Sequence, residues 1–197
     1  MRARRGPGRR LILTLAALGA LIVGYYLGQY WQRQPLGELS AIMYPNGQAI
    51  EYPVELTALQ AQADRQNWRL FVSADTRAAA CVDLLRHYAT VVNRLAAQPD
   101  IQQRLRLTLL AYDQPAKAAI DSFTRGLSWV DVLGAPAPVL DRLSTQLGIQ
   151  PSSPDACTPT QANAVLVAPD AVAWALIPHG QAAIMARDIR TIIAFVE

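Results

Sequence analysis

From Leu11 to Gly28 the chain reads LILTLAALGALIVGYYLG, a run with no charged residue, and directly before it stand Arg2, Arg4, Arg5, Arg9 and Arg10 with no acid among them. At a rise of 1.5 Å per residue, about 20 apolar residues cross the hydrocarbon core of a bilayer. The run continues through Gln29 and Tyr30 to Trp31 before Arg33 ends it. No face of it is polar, so it does not read as an amphipathic helix of a soluble core. Tyr25, Tyr26, Tyr30 and Trp31 gather at its far end, where amphipathic rings favour the membrane interface. The expectation is a basic cytoplasmic tail over residues 1–10 and a transmembrane signal-anchor over 11–31, flanked by Arg9 and Arg10 on one side and by Tyr30 and Trp31 on the other. A cleaved signal peptide is the alternative. Its apolar region is usually about 7–15 residues, followed by a small-x-small site. Here the run is longer and bulky residues follow it, which favours the uncleaved anchor. Under either reading the remainder of the chain leaves the cytoplasm. A short anchor without a transit peptide points to a bacterial inner membrane, crossed once, with the C-terminal domain in the periplasm.

The charge divides at the same place. Removing the five N-terminal arginines from the 18 basic residues leaves 13 against 15 acidic ones, a net of about −2. Nucleic-acid binding is driven mainly by Lys and Arg on phosphates, so a mildly acidic domain argues against such a partner. The two cysteines, Cys81 and Cys157, fall in the exported part, where disulfides persist.

Residues 32–40 (QRQPLGELS) read as a linker, and residues 41–197 as one domain. Tyr44-Pro45-Asn46-Gly47 lies between two short apolar stretches and predicts a small hairpin. Residues 55–66 suit a short helix carrying Leu56 and Leu59. Trp68–Val72 predicts a strand. From Val82 to about Ala97, apolar residues recur at spacings of three and four, the period of a helix, and Pro99 closes it. Strands are predicted at Leu105–Ala111 and Trp129–Leu133, and helices at Ala116–Thr124 and Pro138–Leu147, the latter capped by Gly148. After a Pro-rich loop over 150–160, Ala164–Ala168 and Ala171–Ile177 form a hairpin around Pro169-Asp170, and Gln181–Phe195 closes the chain as a helix. Strands alternating with helices call for crossover connections and a partly parallel sheet. The predicted class is α/β: a thioredoxin-like three-layer sandwich with a mixed central sheet.

In such a domain the reactive site follows the first core strand, where a helix N-terminus favours a thiolate. The order WRLFV, SADTRAAAC, VDLL puts Cys81 there. With Leu107–Leu110 before Ala111-Tyr112-Asp113-Gln114-Pro115, Val132-Leu133-Gly134, Gln146-Leu147-Gly148-Ile149, Val165–Asp170 and Ile177-Pro178-His179, the chain resembles the Sco/SenC family from about residue 40 to its C-terminus. That family consists of membrane-anchored thioredoxin-like proteins that deliver copper to cytochrome c oxidase and are implicated in thiol redox work. The resemblance implies respiratory oxidase subunits or assembly factors as partners, and copper as the metal to consider.

The family motif Cys-Pro-Asp-x-Cys-Pro is degenerate here. With Cys81 as its second cysteine, Arg77 takes the place of the first, Ala78 and Ala79 replace the Pro and Asp, and Val82 replaces the last Pro. The distant histidine ligand falls near Thr160. Of three copper ligands only Cys81 remains, and one thiolate does not hold copper tightly. The resemblance therefore implies a role in oxidase assembly through protein contacts rather than copper transfer. Cys157 lies three residues before the Thr160 position, in the loop that approaches the family's site. A structural disulfide, two separate thiols, a remodelled redox pair and a two-sulfur copper site all remain open for Cys81 and Cys157. His87, about 240° round the helix from Cys81, reads as a surface or edge residue. His179 reads as remote from the family's copper ligands. Asp75 and Asp83 suit capping and helix-dipole roles. No phosphate loop or nucleophile elbow marks the chain as an enzyme.

Overall fold

The computed structural model describes residues 16–28, 38–56, 59, 66–149, 157–158 and 162–197. The chain divides into two compact units, Met1–Leu39 and Ser40–Glu197. In the first, residues 16–28 are helical and exposed. Among the described residues no helix is long and apolar enough to cross a membrane. The predicted span over 11–31 extends beyond this helix at both ends, and its flanks Arg9, Arg10, Tyr30 and Trp31 lie outside the described residues.

Among its described residues the second unit holds six strands: β1 (Ile42–Ala49), β2 (Trp68–Ala74), β3 (Leu105–Ala111), β4 (Val130–Gly134), β5 (Ala164–Val167) and β6 (Val172–Ile177). Among the described residues these helices accompany them: α1 (Ala79–Arg94), α2 (Pro99–Arg104), α3 (Lys117–Phe123), α4 (Ala137–Leu147) and α5 (Ala182–Val196). The sheet order is β1-β6-β5-β2-β3-β4. β2, β3 and β4 run parallel. β5 lies antiparallel to β2, and β6 and β1 continue antiparallel to the edge. The thioredoxin-like α/β class with a mixed sheet is thus the observed one.

Every residue of β2 and β5 is buried. Side chains alternate faces along a strand, so a strand buried throughout must be covered on both sides. On one face Phe71, Leu110, Val165 and Val167 pack with Leu140, Leu143 and Leu147 of α4. On the other, α1 and α5 lie against each other, with Leu84, Leu85, Tyr88, Ile189 and Ile192 buried. The indole Nε1–H of Trp68, at the start of β2, donates to Glu197 just beyond α5 at 3.2 Å. Arg69 points to the α4 side, where its guanidinium donates to Thr108 Oγ1 and Asp131 Oδ2, both at 2.9 Å, so its charge is paired.

Two expectations are corrected. Residues 41–52 do not make a hairpin of their own: β1 is one edge strand paired with β6, with a register shift between Met43 and Gln48. Asn46 and Gly47 have the positive φ values, 65° and 69°, that their turn signal calls for, and spend them on a bulge rather than a reversal. A Cβ on Gly47 would sit 2.4 Å from Val172 Cγ1, so the strand crosses its neighbour where only glycine fits. Second, Pro99 does not only follow a helix. It occupies the first turn of α2, where its missing N–H costs nothing. Within the predicted helix over 55–66, Leu56 and Leu59 are buried and most other positions lie outside the described residues.

Gly148 ends α4 in the left-handed region at φ 68°, and a Cβ there would meet only Tyr44 Oη at 3.6 Å. Gly148→Ala is therefore expected to cost about 1 kcal/mol through backbone conformation alone. Urea unfolding of the full chain checks this, and a loss above about 3 kcal/mol would show a steric cost instead.

Candidate functional site

β2 ends at Ala74, and four residues later the chain enters α1. The turn between is closed locally: the Ala78 amide donates to the Asp75 carbonyl at 3.1 Å, and the Arg77 amide to Asp75 Oδ1 at 3.0 Å. That amide bond is the main reason the Asp75 carboxyl is held below its usual range. The N-cap of α1 is Ala78, which has no side chain to satisfy the free amides. Cys81 is the third residue of α1 and is buried. Its amide donates to the Ala78 carbonyl at 3.0 Å.

Cys81 is joined to Cys157 in a disulfide, with Cα atoms 5.0 Å apart, inside the usual range for such bonds, about 4.4–6.8 Å. Cys157 is buried as well, at 4% exposure against 2% for Cys81. Its sulfur lies 3.9 Å from the Ser73 carbonyl on β2; a bonded sulfur has no proton to donate, so this is a packing contact. The bond joins the first turn of α1 to the loop before β5. Of the four arrangements that the sequence leaves open, the structure has the bonded pair.

Arg77, at the position of the family's first cysteine, turns outward. Its Nε lies 3.3 Å from Asp75 Oδ1 and 3.6 Å from Asp113 Oδ2. Asp113 is the residue that sequence reasoning passed over. Its side chain is 1% exposed, and Oδ2 accepts from Thr76 Oγ1 at 2.6 Å. Where the family places a second thiol, this chain has a guanidinium held by two carboxylates. Its signal was the acid in Tyr112-Asp113-Gln114-Pro115, directly after a parallel strand. Ala78 and Ala79 offer no donor atoms, and Val82 is partly exposed. Thr160 lies outside the described residues. The positions that can be seen therefore do not make the three-ligand copper set: the Cys81 sulfur is occupied by a covalent bond, and Arg77 is a cation. Among the described residues, no three or more His, Cys, Asp or Glu side chains gather as a metal site.

The two histidines, read separately from the sequence, are brought together. Ala80, Asp83, Leu84 and His87 form one face of α1, and with Cys157, Thr158 and His179 they line a cavity of about 230 Å³. The His87 and His179 ring centroids are 4.4 Å apart. His87 does lie off the Cys81 face, but Cys157 and Thr158 line the cavity beside it, so His179 and the disulfide wall the same cavity. His87 Nε2 is 3.3 Å from Met185 Sδ, a buried residue of α5. Burial pushes both imidazoles below their ordinary value, and for His179 the charge of His87 adds to this.

The folded pKa of each imidazole lies below its unfolded value, near 6.5, so at low pH the unfolded chain binds more protons. Stability is complete above that value and declines as pH falls through it toward the folded values. Among the described residues that line the cavity, the other titratable group, Asp83, is exposed and paired with Arg86. Unfolding of metal-free protein between pH 7.5 and 5.5 should show this decline. His87→Gln/His179→Gln should flatten it, and an equal slope in wild type and variant would contradict the assignment.

The strand order, the parallel β2-β3-β4 unit, the closing hairpin and helix, and a cysteine in the first turn after β2 define a thioredoxin-like domain. Among solved structures, the chain is similar to apo Sco1 from Thermus thermophilus, with a TM-score of 0.57 and 14% identity over 79% of this chain and 96% of that one. Yeast Sco1 gives a TM-score of 0.48 with 13% identity, covering 66% of this chain and 84% of that one. A thioredoxin domain of a thiol-disulfide oxidoreductase from Bacteroides vulgatus gives 0.42 with 14% identity, covering 80% and 94%. No protein-family model matches the sequence, and no curated protein matches it. The resemblance to Sco proteins read from the sequence is thus present in the fold, as a distant likeness.

Proposed function

We propose that this chain is a membrane-tethered, periplasmic thioredoxin-fold protein of the Sco/SenC type that serves cytochrome c oxidase assembly through protein contacts. In this reading it does not transfer copper through the family's three-ligand set. One observation carries it: in a domain whose fold is like that of Sco1, the sulfur in the first turn after β2 is tied to Cys157, and the residue four positions before it is a salt-bridged arginine. The basic tail and the uncharged run over 11–28 support the tether and its orientation. A tethered domain meets membrane-bound partners at raised effective concentration, so weak contacts suffice.

The test is deletion of the gene in its native host, with oxidase content read from the haem spectrum of isolated membranes. Loss of oxidase, restored by the full chain and equally by a chain with both cysteines replaced by alanine, is the expected result. Unchanged oxidase content in the deletion would remove this reading. Rescue by wild type alone, with the double variant present at normal level in the membrane, would favour the thiol-active alternative, in which Cys81 and Cys157 exchange electrons or bind copper.

A further inference from the structure

A second cavity, of about 310 Å³, opens where the end of α1 lies beside α5, and none of the motif positions lines it. Arg94, in the last turn of α1, lines it together with Arg187 and Arg190 of α5, and among its described lining residues none is acidic. Outside the N-terminal tail the chain carries about two more acids than bases, so three arginines on one concavity run against the charge of the domain. The negative end of a helix favours a cation, which accounts for Arg94 alone. Arg187 and Arg190 stand in the interior of α5. Among the described residues Arg94 and Arg190 have no ion-pair partner, while Arg187 is held in place by Asp188, whose Oδ1 accepts from its Nε at 3.2 Å and its Nη2 at 3.1 Å. Ala183 and Ala186 leave the room between these side chains. Gln98, in the turn before α2, completes the wall, and its Oε1 is buried with no hydrogen-bond partner, a group that native structures rarely leave unexplained. A half-turn of that amide presents N–H donors at the same place.

We propose that Arg94, Arg187, Arg190 and Gln98 form a binding site for a phosphate group. Each guanidinium offers a planar fork of N–H donors that matches phosphate oxygens two at a time. A carboxylate has two oxygens in one plane and is satisfied by one or two such forks. A tetrahedral phosphate presents oxygens in several directions, so arginines from two helices and an amide from a turn can all reach it. The charge balance fits as well. Three guanidiniums less the Asp188 carboxylate leave two positive charges, enough for an anion of one or two negative charges. The volume, about 310 Å³, lies at the small end of ligand cavities, about 300–1,000 Å³. It holds a phosphate with a short polar stem rather than a folded peptide. Two sources carry this chemistry, a phospholipid headgroup and a free phosphate ester, and the test below separates them. The inference is independent of the role proposed in oxidase assembly, since it uses neither the disulfide nor the motif positions.

The test uses the full chain in an uncharged detergent, titrated by calorimetry at constant ionic strength. One probe is inorganic phosphate and the other is dihexanoyl phosphatidylglycerol below its micellar concentration. Saturable binding of one phosphate group per chain is expected. Hydrogen bonds to charged groups are the strong ones, so affinity should fall at least tenfold in Arg94→Gln/Arg190→Gln. Both positions are exposed, and so is Ala183. Ala183→Trp should weaken binding similarly by filling the cavity while leaving its charge intact, and circular dichroism checks the folding of each variant. Protection of Arg94 and Arg190 from phenylglyoxal by the bound probe, read by peptide mass mapping, is a second measurement that needs no variant. Tighter binding of the phospholipid supports the proposal with a lipid headgroup as the ligand, and tighter binding of phosphate supports it with a free ester. Absence of saturable binding of both probes overturns the proposal, as does binding unchanged in the folded variants. Capture of a glutamate-rich peptide by a chain that binds neither probe also overturns it and makes the cavity a protein contact.

Discussion

Replacing Cys81 and Cys157 together by alanine is expected to lower the stability of the domain by about 4 kcal/mol, the chain-entropy cost of releasing a closed loop of this length. The two positions are separated by 76 residues, a segment that contains α1, β3, β4 and α4. In the unfolded chain the crosslink removes the freedom of that whole segment, while in the folded domain it joins atoms already packed together. For a domain of this size each kcal/mol moves the midpoint by about 2–4 °C, so a fall of roughly 8–16 °C should appear in a thermal melt. The alanine pair leaves no buried hydroxyl to confuse the result. Burial makes a second expectation. Both sulfurs are shielded from attack by an external thiolate, so the native bond should resist mild reductant and yield only when unfolding exposes it. A shift under about 1 kcal/mol, or rapid reduction of the native protein, would show that the bond is an active redox element rather than a tie.

Asp188→Ala is expected to cost about 1–3 kcal/mol, because it leaves the buried Ala41 amide without its acceptor. Asp188 sits within α5 at 1% exposure. Its Oδ2 accepts from the amides of Ser40 at 2.8 Å and Ala41 at 3.1 Å, and its Oδ1 accepts from Arg187 at 3.1 Å. One carboxylate therefore pins the start of the domain to its last helix, across 148 positions. Two backbone amides lose their partner when it goes: that of Ala41 is buried and its loss costs about 1–3 kcal/mol, while that of Ser40, on an exposed residue, turns to water. Asp188→Asn keeps one acceptor oxygen and should fall between wild type and alanine. Urea unfolding of the three proteins checks the order, and amide exchange at Ala41 reports the tether directly. A change within 0.5 kcal/mol for alanine would mean that water replaces the carboxylate without loss.

The fold was legible because its main elements each announce themselves locally. Leu105–Ala111 is a continuous apolar run bounded by polar residues, and it is a strand over those residues. Gly148 follows the last apolar position of α4 and caps it. Pro169-Asp170 stands between two apolar runs and turns them into β5 and β6. The bulge in β1 was not legible, because Asn-Gly encodes positive φ and nothing about how many partners the flanking residues have. Only the presence of β6 as a neighbour turns that signal into an edge-strand bulge. Asp188 carried a faint mark, an acid at a core position of the stripe formed by Met185, Ile189 and Ile192. Its partners at Ser40 and Ala41 were beyond any local pattern.

The candidate site divides along the same line. The order of strand, turn and helix placed Cys81 in the first turn of α1, since that position depends on neighbours within a dozen residues. Helical period also put His87 off the Cys81 face, and the fold agrees with that angle. Period says nothing of what stands opposite, and there Cys157, Thr158 and His179 line the same cavity. The amino-acid order by itself determined which segments are strands and helices, because turn chemistry and hydrophobic period act over a few residues. Only the tertiary structure decided that Cys81 meets Cys157 and that His87 meets His179 and Met185, because such meetings are set by how layers stack and where loops return.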